Sequence, residues 1–200
     1  MKRYILLATA ALALAACQKK ADTTATAASD ASAGAASSAA SDATAAASAP
    51  AAANAPAAPD FVTMAAASDM YEIQAAKIAQ KRSKNADVKA FAQMMVQDHT
   101  KSTAMIKKAV ADSGRKDIMP PATLPPDKQG MIDALDKASD ADFDKTYVDQ
   151  QVMAHMEALM LMQGYAASGD TPQLKDAAGM IAPVVQMHLD KITMIQMGLK

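Results

Sequence analysis

The chain has no tryptophan and a single cysteine, Cys17. One cysteine excludes an intramolecular disulfide and any thiolate cluster for metal or redox work. Aromatic residues make up only 4% of the sequence, and no basic patch is interleaved with them, so a nucleic-acid partner is not expected. Glutamate is scarce, with only Glu72 and Glu157. A dinuclear carboxylate centre needs a glutamate on each of several helices and two Glu-x-x-His pairs, so that chemistry is disfavoured. The sequence also lacks a phosphate-binding Gly-rich loop, a nucleophile-elbow serine and a His-Glu-x-x-His pair. No Val/Ile/Thr alternation is bounded by turn dipeptides, so strands are not expected. With no catalytic motif, the sequence leans away from an enzyme.

What is there begins with an export signal. Lys2 and Arg3 precede an apolar run from Ile5 to Leu14, too short for a membrane span. The run ends in Leu14-Ala15-Ala16-Cys17, which resembles the bacterial lipobox, whose cysteine is lipidated and becomes the mature N-terminus. Residues 1–17 are therefore expected to be a lipoprotein signal that anchors the protein to a membrane through Cys17. Gln18 stands where an aspartate would favour retention at the inner membrane, so the resemblance implies the periplasmic side of the outer membrane. Loss of Lys2 and Arg3 leaves 18 basic against 21 acidic residues, a net charge of −3. Residues 18–59 are almost entirely Ala, Ser, Thr, Asp and Pro, too poor in apolar surface to offset ordering, and are expected to be a disordered tether. Such a linker reaches roughly 35–40 Å.

Residues 60–200 are enough for one domain, and their apolar periodicity predicts an all-α fold of four long helices. Helix A spans about Asp60 to Arg82. Helix B follows Asn85, a good N-cap, and stops at Ser113-Gly114. Helix C spans about Ser139-Asp140 to Ser168-Gly169. Helix D starts at Thr171-Pro172 and carries Pro183, expected to kink it. Short A–B and C–D connections predict antiparallel hairpins. The B–C connection is long, with Pro120-Pro121, Pro125-Pro126 and a short helix over Met131-Ile132-Ala134-Leu135. Whether it crosses the bundle end to end, making B and C parallel, or caps one end is left open.

All three histidines fall on apolar stripes. His99 aligns with Val88, Ala92, Met95, Ile106 and Val110; His155 with Val148, Leu159, Met162 and Ala166; His188 with Ala177, Ile181, Val184, Ile192, Ile195 and Leu199. Glu72 aligns with Phe61, Ala65 and Ala79. Each sits near the middle of its helix, so four helices turn a polar group toward one level of a shared core. Asp98 lies about 100° from His99 and could face an adjacent helix and hold a histidine ring from behind. Asp144 shares the His155 stripe nearer the bundle end, where a bond to a neighbouring helix or to Tyr147 is the plainer expectation. Glu157 points away and is expected to be solvated. Two readings stand: one transition metal ion (Zn, Cu, Fe or Mn) held by Glu72, His99, His155 and His188, with Asp98 and Asp144 behind them, or a buried His/Glu hydrogen-bond layer. The 16 methionines, Met180, Met187 and Met194 among them at seven-residue spacing, fit core filling or thioether binding of Cu(I). The apolar breadth of helices C and D suggests packing on another copy or an envelope protein.

Phe91-Ala92-Gln93-Met94-Met95-Val96-Gln97-Asp98-His99-Thr100 resembles the Phe-Ala-x-x-Met-x-x-Asp-His-Thr signature of the DUF4142 family. The similarity extends through Phe61-Val62, Glu72, Phe143 to Val148, His155, Pro183 and His188-Leu189. It implies a ferritin-like four-helix bundle exported by bacteria and marks Glu72, Asp98, His99, Asp144, His155 and His188, but implies no reaction. The functional expectation is a lipid-anchored bundle that stores or buffers one metal or protects against stress, or else a metal-free structural or interaction module of the envelope.

Overall fold

The computed structural model of the protein describes residues 55–199, which contain five helices and no strand. The lipoprotein signal and all but the last residues of the expected tether lie outside that range. Helix α1 is Ala58–Arg82, α2 Ala86–Ser113, α3 Pro126–Lys137, α4 Phe143–Ser168 and α5 Pro172–Gly198.

The local signals explain most boundaries. The Asn85 side chain accepts from the backbone N–H of Asp87 and Val88, at 2.8 and 3.2 Å, and so caps α2. Gly114 ends it at φ +68°, a conformation that favours glycine. Helix α1 starts two residues earlier than the composition suggests, because Pro59 sits in its first turn, where a missing N–H costs nothing. Thr171 holds the N-cap position of α5, but its hydroxyl bonds Asp170 rather than the helix backbone. Pro183 lies inside α5, which continues on its far side to Gly198. Ser139 to Asp142, expected to open the third long helix, instead form a turn before Phe143.

Two sets of contacts identify the bundle ends. At one, the Arg82 guanidinium donates to the Ala138 carbonyl at 2.6 Å and stacks over the Phe143 ring at 4.5 Å. The end of α1, the end of α3 and the start of α4 therefore meet there. At the other, Phe61 stacks on Tyr165 with centroids 3.8 Å apart, the Ala58 N–H donates to Asp170, and Arg115 reaches Thr171. The start of α1, the end of α2 and the α4–α5 turn meet there. The 115–142 connection therefore runs the full length of the bundle, with α3 packed on α1 and α4. Helices α2 and α4 are parallel across one diagonal. The ring order is α1, α2, α5, α4, with antiparallel neighbours and one long crossover, as in ferritin-like bundles.

The core is divided. One apolar cluster gathers Phe61, Ile106, Met162, Tyr165, Leu174, Ile181 and Val185. The other gathers Tyr71, Phe91, Met95, Leu135, Phe143, Tyr147 and Ile192. On every long helix the residues between the clusters are polar: Asp69, His99, His155 and His188, with Glu72 just inside the second.

Two glycines predict substitutions of opposite sign. A Cβ on Gly169 would lie 2.5 Å from the Tyr165 ring, so closeness rather than backbone conformation requires glycine there. Gly169→Ala should destabilise by about 1–3 kcal/mol, because Tyr165 must leave its stack on Phe61. A Cβ on Gly164, inside α4, meets nothing within 4 Å. Gly164→Ala should stabilise by about 0.5–1 kcal/mol. Denaturant titration of the two variants checks both signs.

Candidate metal centre

Three buried imidazoles form a triangle at mid-bundle. Ring centroids are 5.7 Å apart for His99 and His155, 5.6 Å for His99 and His188, and 5.5 Å for His155 and His188. One nitrogen of each ring lies within 4.8 Å of the other two. Phe91 packs against His155 and His188 at 5.9 and 6.4 Å and closes the triangle on the side of the second apolar cluster.

Each ring is held from behind by an acceptor. His99 Nδ1 is 2.8 Å from Asp69 Oδ1, and Thr103 donates to the other Asp69 oxygen at 2.9 Å. His155 Nδ1 is 2.8 Å from the Gln151 carbonyl, one helical turn back. His188 Nε2 is 3.2 Å from Asp98 Oδ2, and the other Asp98 oxygen accepts from Lys101 at 2.8 Å. A carbonyl or carboxylate can only accept, so each of these ring nitrogens carries the proton. The opposite nitrogens, His99 Nε2, His155 Nε2 and His188 Nδ1, are left with lone pairs, buried and without a protein hydrogen-bond partner. No imidazole–imidazole hydrogen bond forms among the described residues.

Burial dominates the titration of the group. It pushes His155 down to about 4, helped by the charge of His99, and His188 likewise to about 4. His99 is also opposed by burial. Its bond to Asp69 and the carboxylates of Glu72, Asp69 and Asp98 nonetheless hold it above the ordinary histidine value. Burial raises Glu72 to about 7, against the pull of His99. One proton is therefore accommodated best at His99, and the other two rings are neutral and basic at neutral pH.

The expected residues are not all brought together. His99, His155 and His188 converge. Glu72 is buried beside them, but its Oε1 faces His155 Nδ1 at 3.7 Å, the nitrogen already turned to Gln151, and its Oε2 has no partner. Among the described residues, the group of mutually close ligand atoms is the three imidazoles alone. Asp98 faces the neighbouring helix α5 and stands behind His188. Asp144 bonds neither an imidazole nor Tyr147. Its Oδ1 and the Tyr147 hydroxyl, one turn apart on α4, are both buried without a partner. Glu157 is exposed and pairs with Lys128 at 3.0 Å. Asp69 was not singled out by the sequence pattern, although it falls seven residues after Val62 and three before Glu72, on the buried side of α1.

The sequence matches the model described as "Domain of unknown function (DUF4142)" over residues 41–195. The chain belongs to the DUF4142 family. Residues 1–18 match a prokaryotic membrane lipoprotein lipid attachment site, so this DUF4142 protein is exported and membrane-anchored. A search of curated proteins finds no match. Among solved structures, the fold is similar to that of CopM in the Cu(II)-bound form, with a TM-score of 0.63 and 17% identity over 73% of this chain and 99% of that one. CopM in the Cu(I)-bound form gives a TM-score of 0.60 and 15% identity, covering 72% and 97%. At these identities the likeness establishes the helical fold.

A pH dependence follows from the buried rings. His155 and His188 titrate lower in the folded protein than in the unfolded chain, so they contribute stability above about pH 6.5 that is lost as pH falls toward about 4. The loss should be of the order of 1–3 kcal/mol per ring in chelator-treated protein. Replacing both rings by leucine should flatten stability between pH 7 and 4, as measured by denaturant midpoints. An unchanged slope would mean that other groups set the acid limit.

Proposed function

We propose that this protein is a metal-binding lipoprotein of the bacterial envelope, facing the periplasm from the outer membrane. It holds one transition metal ion at His99, His155 and His188 for storage, buffering or protection against metal stress. The observation that carries this reading is a triangle of buried imidazoles with one nitrogen of each within 4.8 Å of the others, each ring held at one nitrogen by an acceptor and unpartnered at the second. In a dry core each unpartnered group costs about 1–3 kcal/mol, and a cation satisfies all three at once. Nitrogens at the corners of a triangle with sides of at most 4.8 Å lie at most about 2.8 Å from its centre. Rings moving inward by less than about 1 Å would therefore reach the 2.0–2.1 Å of a metal–imidazole bond. Three neutral imidazoles suit copper or zinc before iron or manganese, and the copper-bound forms of the structurally similar CopM support copper. Glu72 sits where it balances the charge of the ion rather than among the three nitrogens. The absence of Asp after Cys17 supports placement at the outer membrane.

Elemental analysis of protein purified without chelator or affinity tag, then challenged with Cu, Zn, Mn and Fe, tests the reading. The wild type should hold one equivalent, and the His99→Ala/His155→Ala/His188→Ala variant none. Asp69→Asn should weaken binding by roughly 10–100-fold, because the amide no longer fixes the His99 tautomer. Equal, sub-stoichiometric metal in wild type and triple variant would leave a metal-free envelope module as the better account.

A further inference from the structure

Methionine is distributed unusually over the surface. Among the described residues, every exposed large hydrophobic except Val184 is methionine. The large aliphatic core residues are mostly Leu, Ile and Val, with Met95 and Met162 the buried methionines. A surface selected only for greasiness would use the same aliphatic set outside as inside. Sulfur is what distinguishes the outer positions.

Two of these thioethers, Met180 and Met187, line one groove with a polar floor together with the half-buried Met105. Between α2 and α5 lies a cavity of about 310 Å³ bounded by Asp98, Ser102, Met105, Met180, Val184 and Met187, among others. The Asp98–His188 contact fixes the antiparallel register of the two helices. Seven residues onward on α2, Met105 stands level with Ile181 and beside Met180. Met187 stands level with Asp98, and Ser102 lies between the two levels. The Ser102 hydroxyl is more than nine-tenths buried, lines this groove and has no hydrogen-bond partner. Thr100 nearby satisfies itself on the Val96 carbonyl at 2.6 Å, whereas Ser102 makes no such bond. The Lys101 ammonium also borders the groove, but it is paired with Asp98 at 2.8 Å.

We infer that the α2–α5 groove is a second metal site, in which the sulfurs of Met105, Met180 and Met187 and the Ser102 hydroxyl take a soft monovalent cation, Cu(I). Neutral thioethers are poor ligands for Zn(II) or Cu(II) and good ones for Cu(I). The floor of the groove is Asp98, which holds His188, so an ion here stands one residue layer from the imidazole triangle. Its role as the port through which Cu(I) reaches that centre rests on the function proposed above, and the thioether site itself does not. Movement from one to the other is ligand exchange, thioether for imidazole, with no electron transferred.

The experiment uses the full mature lipoprotein in detergent micelles, with ¹³C-labelled methionine methyls, titrated with Cu(I) without oxygen. The Met105, Met180 and Met187 methyl signals should shift together and saturate at a common stoichiometry, while Met153, Met156 and Met160 on α4 stay in place. Met105→Leu/Met180→Leu/Met187→Leu conserves volume and should fold. It should lose at least tenfold in Cu(I) affinity against a chromogenic chelator, whereas the same change at Met153, Met156 and Met160 should lose none. Equal shifts of all exposed methionines, or wild-type affinity in the groove variant, would overturn the proposal. The imidazole ring signals report the other centre separately. Rings that respond while the groove methyls stay silent sink the groove alone. Groove methyls that respond while the rings ignore every metal sink the imidazole reading and leave the groove standing as a site without the port role.

Discussion

A neutral imidazole has one N–H and one lone pair, and burying it obliges the fold to deal with both. Here the N–H is met each time by a fixed acceptor on the rim of the cluster: Asp69 on α1, the Gln151 carbonyl on α4 and Asp98 on α2. Those three bonds determine which nitrogen of each ring keeps its lone pair. The two apolar clusters, above and below, exclude water from the level where this happens. The topology then becomes intelligible. The full-length crossover after α2 makes α2 and α4 parallel and leaves antiparallel neighbours around one centre, where mid-helix residues share a level.

A centre of this kind is a competition between ions. Burial keeps His155 and His188 unprotonated, and the surrounding carboxylates let His99 accept a proton most readily. A metal would displace that proton and occupy all three lone pairs. Glu72 strengthens either cation. Burial makes its ionised form costly on its own, and only a positive neighbour reverses that. The buried Gln151 amide and Tyr147 hydroxyl, both unpartnered, extend the polar layer from Glu72 along α4.

Much of this was legible in the sequence because helical periodicity acts at a distance of only a few residues. It placed His99, His155 and His188 on inner faces, and mid-helix positions gave them a common height. Periodicity does not say which edge of an inner face a side chain leaves from, nor what stands opposite. Glu72 was therefore expected among the ligands, whereas it turns toward the outer nitrogen of His155. Asp98, about 100° from His99, was expected to face an adjacent helix and hold a ring there, but only the packing of α2 on α5 shows that the ring is His188. Nothing in the periodicity singles out Asp69, because its role depends on the ring opposite it on α2. Val184, assigned to the inner stripe, is 37% exposed because the α2–α5 interface opens beside it. The direction of α4 relative to α2 depended on Arg82 clamping the far end of the long connection, a contact across more than fifty residues that no local pattern encodes.

The open α2–α5 seam joins the interior chemistry to the surface chemistry. The imidazoles themselves are all but inaccessible. Asp98, by contrast, keeps 19% of its side chain exposed while touching His188. It is both the back wall of the centre and the floor of the groove outside. An ion approaching by that route meets thioethers first and a carboxylate second. Harder divalent ions are not retained by the thioethers, and Cu(I) is. Selectivity would then be exercised before the ion reaches three imidazoles that, on ligand type alone, discriminate poorly among late first-row metals.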